Sequence, residues 1–147
     1  MILYVDTSAV VKALLLEPGS SDVESWYAEA DVVAASVITY AQTCAALGRS
    51  ARMHGSDAVA LEASVAELEA QWAEFLVLPV SERVAGDVAL RHRLRGMDAV
   101  QLSTAMVLRT LVAEHAPTAE VVCASYDLRL REAAEREGFA TLGGPLE

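Results

Sequence analysis

Asp6, Asp98 and Asp127 are the residues of this chain best suited to chemistry. Asp6 ends the apolar run Ile2-Leu3-Tyr4-Val5 and is followed by Thr7 and Ser8. Asp127 comes just after Val121-Val122-Cys123-Ala124-Ser125, and Asp98 stands in or beside the first turn of a helix that starts from Gly96-Met97. Each acid has an ordinary explanation by itself, because a carboxylate at a helix N-terminus caps free N–H groups and suits the helix dipole. Capping does not explain the set. Three carboxylates at element ends, each beside an apolar segment, would converge at one edge of a sheet, and oxygen donors of that kind hold a hard divalent cation.

The elements that must position them follow from the hydrophobic pattern. Apolar runs without alternation, at 2–5 and 121–125, imply strands covered on both faces, as in a parallel sheet between helices. Open α/β sheets place their ligand sites at the carboxyl ends of such strands. Thr7 and Ser8 read as caps for a helix beginning near Ala9, which Glu17-Pro18-Gly19-Ser20-Ser21 then breaks. Further strands are expected over Val32–Ser36, Phe75–Leu78 and Ala140–Leu142. Helices are expected from Ser21 to Ala30, about Val37 to Met53, Asp57 to about Trp72, Ser81 to the Arg91 region, Asp98 to about His115, and Leu128 to Glu135. Trp26 and Tyr27 should pack inward, and the Asp57 to Phe75 region, rich in Ala, Leu and Val, should pack against a second copy. Strands alternate with helices throughout, which implies a parallel sheet with helices on both faces.

A chain of 147 residues with 54% hydrophobic content is one globular unit able to bury a real core, not a disordered segment. No apolar run approaches the length of a membrane span, and the N-terminus enters a strand without a basic leader, so the expectation is a cytoplasmic protein with no membrane partner. Cys44 and Cys123 are isolated in apolar elements, with no Cys or His at metal spacing, and read as buried thiols of a reducing compartment. Eleven basic against 21 acidic residues give a net charge of −10, which is not the footprint of a protein that coats nucleic acid. A local basic path remains. Arg91, His92, Arg93 and Arg95 precede Asp98, Arg129 and Arg131 follow Asp127, and Arg49, Arg52 and His54 close the third helix. Most such residues are solvated faces or helix-end charges; the functional expectation is that Arg91, Arg93, Arg95 and Arg129 guide phosphate toward the acids.

Three rival site types fail on residue identity. A phosphoryl-accepting receiver domain needs a strand-end lysine, and the only lysine is Lys12, on the first helix. A haloacid-dehalogenase-type phosphatase needs a second Asp two positions after the first, where this chain has Ser8. A nucleotide-binding domain would show a Gly-rich strand-to-helix loop, and none of the eight glycines makes one.

The order of the motifs resembles a family. Asp6-Thr7-Ser8-Ala9 after a strand, Ser36-Val37-Ile38-Thr39 opening a helix, Met97-Asp98-Ala99-Val100-Gln101-Leu102-Ser103-Thr104-Ala105, and Ala124-Ser125-Tyr126-Asp127-Leu128-Arg129-Leu130 with Gly138 behind it are similar to the PIN-domain ribonucleases. The likeness is greatest to the small toxins of VapBC-type toxin–antitoxin pairs, and it spans Met1 to about Leu142. It implies a single PIN-like domain over 1–147, a three-layer α/β/α sandwich around a short parallel sheet. It also implies an RNA substrate, a cognate antitoxin, for which the acidity suits a basic partner, and a homodimer. Carried over, the family's metal-binding acids match Asp6, Asp98 and Asp127, with Ser8 and Ser125 as supporting hydroxyl residues. The family's Glu on the helix after the second strand matches Gln42, and no Asp or Glu occurs from Val32 through Ser56 to replace it.

The chemistry so implied is cleavage of a phosphodiester by an activated water, with bound Mg²⁺ or Mn²⁺ relieving phosphate charge. Gln42 in place of a Glu removes one negative charge, which at about 4 Å and an effective dielectric near 20 is roughly 4 kcal/mol of attraction before desolvation. Metal binding should weaken accordingly. The alternative implied by that loss is an inactive PIN-like module that binds or dimerises.

Overall fold

The computed structural model describes residues 1–144; the last three residues of the domain expected over 1–147 lie outside them. The chain runs β1 (Ile2–Val5), α1 (Thr7–Leu15), α2 (Ser20–Glu29), β2 (Val32–Ser36), α3 (Ile38–His54), α4 (Ala58–Glu74), β3 (Leu76–Leu78), α5 (Glu82–His92), α6 (Gly96–His115), β4 (Val121–Ala124), α7 (Leu128–Arg136) and β5 (Ala140–Leu142). The strands form one sheet in the order β3-β2-β1-β4-β5, every neighbouring pair parallel. This is the α/β/α sandwich expected.

Both faces of β1 are buried, which is why its sequence does not alternate. Successive side chains point to opposite faces. Tyr4 therefore joins Ala34, Val121 and Cys123 under Val88, Leu102, Leu108 and Leu130 of α5, α6 and α7. Leu3 and Val5 join Ala35, Val122 and Ala124 under Val10, Leu47 and Leu68 of α1, α3 and α4. Trp26 and Tyr27 of α2 are half-buried against that second core. Emptying a position such as Leu47, 1% exposed, by Leu47→Ala would destabilise the fold by roughly 2–5 kcal/mol.

The topology decides where a site can form. From β1 the chain moves to β2 and β3 on one side, then crosses back to lay β4 against the other edge of β1. Crossovers therefore leave in opposite directions between β1 and β4, a switch point whose carboxyl end opens as a crevice. Val5 and Ala124 are paired there. Asp6 and Ser125 are the next residues on each strand.

Three local readings are revised. α1 starts at Thr7 and not near Ala9, because Asp6 is its cap: Asp6 Oδ1 accepts the Ala9 N–H at 3.1 Å, which leaves the hydroxyls of Thr7 and Ser8 for other partners. Cys44 is half-buried and only Cys123 is fully buried; both are free thiols. α4 extends to Glu74 and fully buries Leu68 alone. Among the described residues, no helix is long and apolar enough to cross a membrane.

Candidate active site

The crevice is a cleft of about 350 Å³ lined by Asp6, Thr7, Ser8, Lys12, Glu17, Gln42, Arg49, Asp98, Gln101, Tyr126 and Asp127, among others. Four elements contribute. α1 begins directly on Asp6, so Ser8 and Lys12 share a helix face four positions apart. α3 starts over the ends of β2 and β3, where the Val37 N–H donates to Leu78 O at 2.9 Å. It thereby turns Gln42, Ala46 and Arg49 toward the cleft. α6 presents Asp98 in its first turn and Gln101 three residues on. Asp127 caps α7, accepting the Leu130 N–H on Oδ1 at 2.9 Å.

Asp6 is the deepest of the acids, 5% exposed. Its Oδ1 accepts the Ser8 hydroxyl at 2.7 Å and its Oδ2 the Ser125 hydroxyl at 2.8 Å. The same two serines bind the loop after β4, since the Tyr126 N–H donates to Ser8 Oγ at 2.8 Å and the Asp127 N–H to Ser125 Oγ at 3.0 Å. The loop is thus fixed by the groups that orient Asp6. Gly143 completes the arrangement: it adopts φ +106°, and a Cβ there would lie 2.0 Å from the Ser125 carbonyl oxygen. Only a residue without a side chain lets the segment after β5 pass so close.

Electrostatically the cleft is short of positive charge next to its acids. Burial, with a smaller push from the Asp127 charge, raises the Asp6 carboxyl to about 6 against the hydrogen bonds from Ser8, Ser125 and Ala9. Asp98 is also raised, first by burial and then by Asp127, while Arg95 and Arg129 pull it down. Lys12 is 2.7 Å from Glu17 and 5.2 Å from the centre of the Tyr126 ring, so its charge is already partnered. Three carboxylates lining one cleft are the donor chemistry a hard dication prefers. Among the described residues, however, no three His, Cys, Asp or Glu side chains are close enough to hold an ion together. The acids surround a space instead of forming a closed cage. That arrangement fits Mg²⁺, which commonly binds through one or two carboxylates and keeps several waters.

Gln42 has a defined place. Its Oε1 accepts the Thr7 hydroxyl at 2.6 Å and the Gln101 amide at 2.9 Å. Of the arginines expected near the acids, Arg95 and Arg129 act on Asp98. Arg91 is engaged with Glu137 at 3.0 Å and Asp87 at 3.6 Å, and Arg93 ends α5 in a left-handed conformation; none of these four arginines lines the cleft. Thr7, Lys12, Glu17, Gln101 and Tyr126 do line it. Helical spacing from Ser8 and Asp98 pointed to Lys12 and Gln101; nothing local pointed to Glu17, which reaches the cleft from the loop after α1.

With this geometry, similarity to known proteins becomes informative. Residues 3–136 match the PIN domain family. The chain is 35% identical over 114 residues to Ribonuclease VapC45 of Mycobacterium tuberculosis, covering 73% of this chain and 76% of that protein. The chain belongs to the PIN domain family, with the VapC-type proteins. Solved PIN-fold structures superpose over nearly its full length. PAE2754 from Pyrobaculum aerophilum gives a TM-score of 0.66 at 20% identity, covering 96% of this chain and 83% of that one. VapBC2 from Rickettsia felis, bound to a DNA fragment from its promoter, gives 0.65 at 13% identity, covering 98% and 99%. At such identities these two speak for the PIN fold alone.

Proposed function

We propose that this PIN domain is a metal-dependent endoribonuclease, the toxin of a VapBC-type pair, and that Asp6, Asp98 and Asp127 form its catalytic centre. The observation that carries the reading is that three carboxylates, at the end of β1, on α6 and in the β4–α7 turn, line one cleft at the switch point of the sheet. The 35% identity to Ribonuclease VapC45 supports the substrate class.

Asp6, Asp98 and Asp127 would hold Mg²⁺ or Mn²⁺, which supplies charge relief on phosphate and a water acidic enough to attack. The protein's own groups do the rest. Ser8 and Ser125 hold the Asp6 carboxylate in one orientation and prevent it from turning away as the cleft fills. Asp98 is less buried than Asp6, and Arg95 and Arg129 counter the rise that burial and Asp127 impose on its carboxyl. Arg49 gives the cleft wall positive charge for the RNA backbone. The net charge of −10 suits a basic antitoxin and cytoplasmic solubility. A homodimer is also part of the reading: α4 fully buries one side chain and leaves Val59 72% exposed, the pattern of a helix that packs on something outside the chain.

The decisive assay is cleavage of a mixed single-stranded RNA with Mn²⁺, with EDTA, and with Asp98→Asn. Cleavage confined to the native chain with metal supports the proposal. No cleavage under any condition, with folding intact, favours the inactive binding module, for which the neutral Gln42 is the specific observation.

A further inference from the structure

A side-chain amide has an accepting end and a donating end, and Gln42 is held by the first. Its oxygen has two lone pairs, and Thr7 at 2.6 Å and Gln101 at 2.9 Å use both. Gln101 is itself oriented from the core. Its Oε1 accepts the Tyr4 phenol at 2.7 Å, and its Nε2 donates toward Thr39 Oγ1 at 3.0 Å and Thr7 Oγ1 at 3.2 Å as well as toward Gln42. Tyr4, Thr39 and Gln101 are 2%, 0% and 3% exposed. Turning the Gln101 amide over by itself would set its oxygen against the Gln42 oxygen, leaving two acceptors with no hydrogen between them. In this arrangement the polarity runs from Tyr4 through Gln101 to Gln42. The end left over is the Gln42 N–H₂, half-buried on the cleft wall with no protein acceptor among the described residues.

We infer that Gln42 is a phosphate-binding donor and not a metal ligand: its N–H₂ group bonds a non-bridging phosphate oxygen of RNA, and Gln101 is the residue that positions it. The inference rests on the ribonuclease reading of the same cleft. An oxygen with both lone pairs engaged has nothing to offer a cation, whereas two free amide hydrogens suit an anion. Arg49, two turns further along the same face of α3, extends the donor path along a backbone.

The test is fluorescence anisotropy of a fluorescein-labelled single-stranded RNA of mixed sequence in EDTA, which removes metal from both binding and cleavage. Gln42→Met should weaken binding by about tenfold or more, the range of one hydrogen bond to a charged group, and Gln42→Glu by more still. Gln101→Met should weaken it as much as Gln42→Met, yet add nothing when combined with it. Tyr4→Phe, which removes only the hydroxyl, serves the same purpose if Gln101→Met fails to fold. Native affinity in Gln42→Met overturns the donor role. An equal further loss from Gln101→Met or Tyr4→Phe in the Gln42→Met background overturns the positioning role. If Gln42→Met binds normally while the native chain cleaves RNA with Mn²⁺, only this inference falls; if the native chain neither binds nor cleaves RNA, the ribonuclease reading falls with it.

Discussion

Ser125 donates its hydroxyl to Asp6 Oδ2 at 2.8 Å across 119 positions of sequence, tying the loop after β4 to the end of β1. Two serines and a backbone N–H saturate most of the acceptor capacity of a carboxylate that is nearly inaccessible to water. That bond organises the deepest acid of the cleft.

Removing it should have a local signature. Ser125→Ala leaves the Asp127 N–H without its 3.0 Å acceptor as well as freeing Asp6 Oδ2. We expect a loss of about 1–3 kcal/mol in chemical denaturation, together with a lower Mn²⁺ affinity. A variant as stable as the native protein, with unchanged metal binding, would show that Asp6 does not need the clasp.

The raised Asp6 pKa makes a sign-definite statement about pH. A carboxyl that titrates near 3.8 when unfolded and at about 6 when folded binds its proton more tightly in the native state. Its contribution is then fully favourable below the unfolded value and is lost as pH rises from about 4 to about 6. In EDTA, Asp6→Asn should therefore gain stability relative to the native chain across that window and keep the gain above it. Melting temperatures at pH 4, 6 and 8 decide it. A difference independent of pH would mean that Asp6 ionises without penalty.

Metal should reverse that penalty. Calorimetric titration with Mn²⁺ should find a site in the native protein that is abolished by Asp6→Asn or Asp98→Asn, and whose affinity falls as pH drops below about 6, because the ion must displace the proton. Undiminished binding in both variants would relocate the site.

Gln42→Glu should separate metal from substrate. The carboxylate can keep the Thr7 and Gln101 bonds on one oxygen and turn the other into the cleft. Mn²⁺ affinity and turnover at saturating RNA should rise by at least about tenfold, equivalent to roughly 1.4 kcal/mol, while metal-free RNA affinity falls. Expression without an antitoxin should become harder. Equal turnover in the two forms would show that the missing charge is irrelevant to the reaction.

Dimerisation is checked by light scattering at micromolar concentration, where a single species of twice the chain mass is expected. Val59→Glu, on the exposed side of α4, should shift it toward monomer. A native chain that is already monomeric would remove the second copy from the reading.

Sequence alone determined the sandwich, because buried parallel strands leave unbroken apolar runs at 2–5 and 121–124 and caps or breakers such as Asp57 and Pro18-Gly19 mark the helices between them. It also determined which acids stand at element ends. It could not determine their company. The lining of the cleft by Lys12, Glu17 and Gln101 depends on how α1, its following loop and α6 lie over the sheet, which is set by packing between distant residues. The same holds for the arginines: whether Arg91 faces RNA or Glu137 is a matter of where α7 ends, not of its distance along the chain from Asp98. Gln42 shows the division most sharply. Its identity was readable as a missing charge, but which end of its amide faces the cleft was decided only in three dimensions, by the donors that Thr7 and Gln101 bring to its oxygen.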